Sequence, residues 1–132
     1  MDSEIMPDFN WQGFMKEACV ADIDGLVVKS VNTHLYLREN PRLSNIDGLS
    51  VLSEIHGDLW IEGNSELTNI DGLRNLSRLG GLLHISNNDA LNDVDGLQSI
   101  DAVDSYVDIF DNRNLDNLDG LSMLTKIGGF LN

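Results

Sequence analysis

The chain has 132 residues, 42% of them hydrophobic, which suits one domain built around a continuous core. Its 22 acidic and 8 basic residues give a formal charge of -14 at pH 7, a field that repels phosphate backbones and anionic lipid and argues against a nucleic-acid partner. The one cysteine, Cys19, excludes an internal disulfide, and no apolar run approaches the length of a membrane span, so the expected setting is cytoplasmic.

The first element expected is an N-terminal cap over residues 1–22. The start, MDSEIMPDFNWQ, carries early acids and no apolar run, so it does not read as a secretory leader. Asp8 follows Pro7 and can cap a helix, and Trp11, Phe14, Met15 and Ala18 then recur at helical spacing. A short capping α-helix there would cover the first open strand edge of whatever follows, with Cys19 buried at the junction.

From residue 23 onward the chain repeats itself. The motif IDGL or a close variant opens units at residues 23, 46, 70, 94 and 118, which makes residues 23–132 about four and a half turns of a 24-residue period. Apolar residues occupy the same positions in each unit: Leu49, Leu73, Leu97 and Leu121; Leu52, Leu76, Ile100 and Leu124; Ile55, Leu79, Val103 and Ile127; Leu43, Leu67, Leu91 and Leu115. Short alternating triplets, 35–37, 59–61, 83–85 and 107–109, have apolar, β-prone outer residues and a freely changing middle one, and these are the expected strands. One unit cannot bury its own apolar residues, whereas stacked units can, so the expected architecture is a β-solenoid with one turn per unit.

The strand pattern L-x-I-x-x-N-x-x-L at residues 59–67, and the LGGLLHI entry at residues 79–85, resemble the leucine-rich-repeat superfamily and within it the receptor L-domain type. The resemblance covers about residues 23–132 and implies a right-handed parallel β-helix. It also implies a role in binding proteins or peptides, without catalytic residues in the signature. The cysteines and the size of hormone-receptor L domains are missing, so hormone binding does not carry over.

The polar columns divide into scaffold and candidates. Asn40, Asn64, Asn88 and Asn112 lie one period apart and are expected to form a buried ladder that satisfies turn backbone. Asp47, Asp71, Asp95 and Asp119 each precede glycine, so they are expected to make Asx turns with a positive-φ glycine. A calcium-stabilised solenoid is the alternative for that acidic column, although the glycine-rich nonapeptide repeats of calcium-binding solenoids are absent. His34, His56 and His84 show no metal-ligand spacing and read as scattered surface residues. No Ser-His-Asp order or phosphate loop stands out, so neither an enzyme nor a cofactor is expected.

Function is expected in the outward strand positions, which packing leaves free. Tyr36, Trp60, Leu82, His84, Tyr106, Phe110 and Phe130 fall there, more large apolar and aromatic residues than solvation would select. They point to a non-enzymatic module that binds a protein partner, or a second copy of itself, through this face. The strand expected at Leu131–Asn132 would leave a C-terminal edge through which a homodimer could pair. A carbohydrate-binding or adhesive module, with aromatic rings stacking on sugars, is the reading from another class.

Overall fold

The computed structural model describes residues 29–132 together with the backbone of residues 5–6 and 9–10. Among the described residues there are eleven short strands: β1 (Ile5–Met6), β2 (Phe9–Asn10), β3 (Ser30–Val31), β4 (Leu35–Arg38), β5 (Glu54–Ile55), β6 (Leu59–Glu62), β7 (Arg78–Leu79), β8 (Leu83–Ser86), β9 (Ala102–Val103), β10 (Val107–Phe110) and β11 (Lys126–Ile127). They alternate between two all-parallel sheets, β1-β3-β5-β7-β9-β11 and β10-β8-β6-β4-β2. Leu35 pairs with Leu59, Leu59 with Leu83 and Leu83 with Val107, so neighbouring strands hold the repeat in register. A one-residue slip would turn the Leu and Ile side chains out to solvent, which is why the period fixes the pairing.

The N-terminal segment differs from expectation at Phe9–Asn10. Phe9–Asn10 pairs in parallel with Leu35–Tyr36, so the chain just after Asp8 is extended rather than the first turn of a helix. The exposed hydrogen-bonding edge of β4 is satisfied by a strand there, which a helix beginning at Phe9 would leave open. No α-helix occurs among the described residues. The stripe Trp11, Phe14, Met15 and Ala18, and Cys19, lie outside the described residues.

Inside the turns, the repeated apolar columns form one core running the length of the described solenoid, from Val31 to Val107, with Leu115, Leu121, Leu124 and Ile127 packed against it. The three-residue spacing 43, 46, 49, 52 has a direct cause. Leu43 N–H donates to the Asn40 carbonyl, Leu49 to Ile46 and Leu52 to Leu49. One such turn ending at Leu43 and two in succession from Ile46 to Leu52 thus bring side chains three apart back to the same interior, in the manner of a 3-10 helix.

The DGL segments are those 3-10 turns, Asp47–Leu49, Asp71–Leu73, Asp95–Leu97 and Asp119–Leu121. Their chemistry differs from the expectation. The side-chain oxygen that closes each Asx turn belongs to the residue two positions earlier. Asn45, Asn69, Asp93 and Asn117 accept from the N–H of Asp47, Asp71, Asp95 and Asp119 at 3.0, 3.1, 3.0 and 3.0 Å. The glycine is demanded by stacking rather than by φ: a Cβ on Gly72, Gly96 or Gly120 would collide with the carbonyl oxygen of Ile46, Ile70 or Val94 in the turn before. Left-handed backbone sits elsewhere, at Glu39, Gly63, Asn87 and Asp111, with φ of 57°, 71°, 56° and 52°. That column closes each long strand just before its ladder asparagine.

The asparagine ladder is present. Asn64 Oδ1 accepts from Asn40 N–H at 3.2 Å, Asn88 Oδ1 from Asn64 N–H at 3.1 Å, and Asn112 Oδ1 from Asn88 N–H at 3.0 Å. In the other direction, Asn64 Nδ2 donates to the Leu37 carbonyl at 2.8 Å, Asn88 Nδ2 to Ile61 at 2.9 Å and Asn112 Nδ2 to Ile85 at 3.0 Å. Each rung therefore satisfies a backbone donor of the rung before it and the strand carbonyl one turn back. Asn40 Oδ1 accepts no hydrogen bond among the described residues.

Candidate functional site

The two sheets differ in what they can display. Strands of the first sheet are two residues long and place Glu54, Arg78, Ala102 and Lys126 outward, a row with no aromatic residue. The long strands β4, β6, β8 and β10 each offer two outward positions, and the residue before each strand adds a third. Because strand side chains alternate, Leu35, Leu37 and their equivalents fill the core while Tyr36 and Arg38 and theirs face out.

On this outer face the rings connect. The His34 and Tyr36 centroids are 5.6 Å apart, Tyr36 and Trp60 6.4 Å, Trp60 and His84 4.1 Å, and His84 and Phe110 5.4 Å. Trp60 stacks on His84 at an interplanar angle of 26°, and Phe110 meets the same imidazole edge-on at 85°. From the β4 side, the Arg38 guanidinium lies 5.3 Å from the Trp60 ring centroid. A second pair, Tyr106 and Phe130, is stacked at 4.7 Å and 4°. Of the residues expected to carry function, Tyr36, Trp60, His84 and Phe110 form one ring series, Tyr106 and Phe130 form another, and Leu82 lies half-buried in the column between Asp58 and Tyr106.

Polar groups on the face are matched to one another. Arg38 Nε donates to Glu62 Oε2 at 2.8 Å. Asp58 N–H donates to His34 Nδ1 at 2.9 Å, and Leu82 N–H to Asp58 Oδ1 at 2.9 Å. Since His34 Nδ1 accepts that bond, its 3.2 Å approach to Asp58 Oδ2 is not a hydrogen bond in the same tautomer.

His84 departs most from expectation. It is not a surface histidine: only 7% of it is exposed, although it points away from the core. Its Nδ1 lies 3.4 Å from Asp108 Oδ2, and its Nε2 is 2.9 Å from Ser86 Oγ, which also accepts from Asn87 Nδ2 at 3.3 Å. Reading along the sequence misses this Asp-His-Ser arrangement, because two members are alternate residues on β8 and the third is placed beside them by the 24-residue register. The nitrogen assignment matches that of a nucleophilic triad. Ser86, however, is 1% exposed, so in this conformation its oxygen offers an incoming carbonyl carbon no approach, and what the arrangement does is fix the imidazole ring. A signal was available in the sequence: a polar residue every second position on β8, aligned with an acid one period later.

The other candidates are less developed. Asp47, Asp71, Asp95 and Asp119 lie at the turn surface, exposed or half-buried. Among the described residues no group of three or more His, Cys, Asp or Glu side chains is arranged to hold a metal ion. No helix among them is long and apolar enough to cross a membrane. Fold and face together define a parallel-strand solenoid with a buried asparagine ladder and one outward sheet rich in aromatic residues. No family model matches the chain, and neither a curated protein nor a solved structure does.

Proposed function

We propose that the chain is a protein-binding solenoid of the leucine-rich-repeat, receptor L-domain type, and that the outer face of the β4-β6-β8-β10 sheet is its binding surface. A right-handed coil is the hand that parallel crossovers take in nearly all proteins. The observation that carries the reading is the ring series Tyr36, Trp60, His84 and Phe110, which crosses all four long strands. Tyr and Trp are strong interface anchors, and rings already held by stacking and by a matched polar network lose little side-chain entropy when a partner docks.

A protein fits this face better than a sugar. Sugar rings need an open aromatic face, and Trp60 has His84 stacked on it from the β8 side and Arg38 over it from the β4 side. The net charge of -14 on every copy favours a different partner over self-association. Site-specific photo-crosslinking tests the assignment in cells that make the protein. A diazirine side chain at Tyr36 or Leu82 should trap a protein partner, and one at Asn75, on the 3-10 turn side, should not. Trapping at Asn75 equal to that at Tyr36 or Leu82, or none at Tyr36 and Leu82, would refute the binding face.

A further inference from the structure

Resting on that proposed binding face, we infer that its partner is a basic protein segment, anchored by a Lys or Arg side chain in the valley between Tyr106 and Phe110 with Asp108 on its floor. Tyr106, Asp108 and Phe110 are alternate residues on one face of β10 and the residue leading into it. Strand geometry therefore spaces the two aromatic walls about 13 Å apart, with the carboxylate midway. Phe110 is 40% exposed, and the stack of Tyr106 on Phe130 makes the opposite wall flat and rigid. Asp108 Oδ1 accepts from Asn132 Nδ2 at 2.8 Å and Oδ2 faces His84 Nδ1 at 3.4 Å. A carboxylate has about four acceptor positions, so capacity remains for a cation entering from above.

The same strand system shows how a guanidinium is held by this chemistry. Arg38 lies over Trp60 and is hydrogen-bonded to Glu62, an aromatic ring and a carboxylate that are alternate residues on one strand. Asp108 and Phe110 repeat that acid-and-ring pair on β10. Among the charged residues around this end of the face, Asp104, Asp108 and Asp111 are acidic. Arg113 is drawn aside toward Asp89, at 3.7 Å. Ring faces attract cations, the carboxylate adds a charge-assisted hydrogen bond, and the field of the whole molecule steers a basic segment inward.

The test is a display selection of random 12-residue peptides against the intact protein, with recovered peptides measured on four variants. Trp60→Ala reports use of the face, Phe110→Ala and Asp108→Asn report the valley, and Asp95→Asn removes the same charge from the turn side. Circular dichroism and melting curves accompany each variant to show that it is folded. The inference expects recovered peptides to carry Lys or Arg, to bind Asp108→Asn and Phe110→Ala about tenfold or more weakly, and to bind Asp95→Asn within about twofold of the parent. Peptides that depend on Trp60 but lack basic residues, or that lose as much on Asp95→Asn as on Asp108→Asn, would overturn the basic partner and leave the binding face standing. A selection that yields no Trp60-dependent peptide would overturn both.

Discussion

Replacing Asn88 with Ala should be among the costliest single changes in the solenoid, and its size can be worked out from the ladder. Asn88 Oδ1 is the acceptor for the N–H of Asn64, which is fully buried, and also for Asn64 Nδ2 at 3.2 Å. Asn88 Nδ2 donates to the carbonyls of Ile61 and Ser86, both at 2.9 Å. On truncation, Asn64 Nδ2 keeps the Leu37 carbonyl, and the Ser86 carbonyl keeps Gly63 N–H at 3.1 Å. The Asn64 N–H loses its acceptor. One orphaned buried donor costs about 1–3 kcal/mol, and the four remaining lost bonds, which include the one from Asn88 Nδ2 to Asn112 Oδ1, add about 0.5 kcal/mol each because most of their partners keep another bond, giving about 3–5 kcal/mol in all. Asn112→Ala removes comparable bonds at a site that lines an open groove with Ile109 and Leu115, where water can replace the lost groups. Its expected cost is about 1–2 kcal/mol. Urea unfolding of the parent and both variants gives the comparison, provided the slope is unchanged; at a slope of about 1.5 kcal/mol/M, Asn88→Ala should lower the midpoint by about 2–3 M. A loss under about 1 kcal/mol for Asn88→Ala would refute the account of the ladder as the satisfier of buried backbone, and equal losses for the two variants would refute the replacement by water at Asn112.

Two further outcomes follow from the backbone. Gly72→Ala should destabilise by about 2–3 kcal/mol because the new Cβ meets the Ile46 carbonyl, while Gly63→Ala, where nothing lies closer than 3.6 Å to the added Cβ, should cost only the left-handed penalty of about 1–2 kcal/mol; thermal melts of the pair give the order. Glu39→Gly should stabilise by about 0.5–1 kcal/mol, since Glu39 holds a φ of 57° in the column where Gly63 already stands; a fall in melting temperature would contradict this.

The period, the strands and the ladder were legible because they are properties of every unit: when Leu35, Leu59, Leu83 and Val107 share a column, stacking is the arrangement that buries them all. The chemistry of the turn was not legible. Asn45 and Asp47 both carry side chains able to close an Asx turn, and the choice between them depends on the Leu49 N–H being taken by the Ile46 carbonyl. The need for Gly72 depends on a carbonyl in the turn before it, which no local rule about Asp-Gly pairs contains. At the N-terminus, helical spacing from Trp11 onward carried no information about the vacant edge of β4 that Phe9–Asn10 fills. On the outer face, residue types identified the aromatic columns but not their mutual contacts. His84 is enclosed because Trp60 and Phe110 arrive from neighbouring strands, one period before it and one period plus two residues after it.

Those enclosing contacts bear on how the face would work. An outward ring on an isolated strand would sample several rotamers and be ordered only when a partner arrives, at a cost of about 0.5–1.5 kcal/mol for each immobilised side chain. Here the rotamers are set beforehand. Trp60 is held between His84 and Arg38, Arg38 is tied to Glu62, and His84 is hydrogen-bonded through Nε2 to Ser86, with Asp108 Oδ2 3.4 Å from its Nδ1. The stacking that holds the turns in register therefore also orders the variable side chains. Removing one of the tethers, as in Glu62→Gln or Ser86→Ala, should weaken a partner's hold on Trp60 even though neither residue need touch it. That indirect loss separates a preorganised surface from a row of independent contacts, for which only the touching residues would matter.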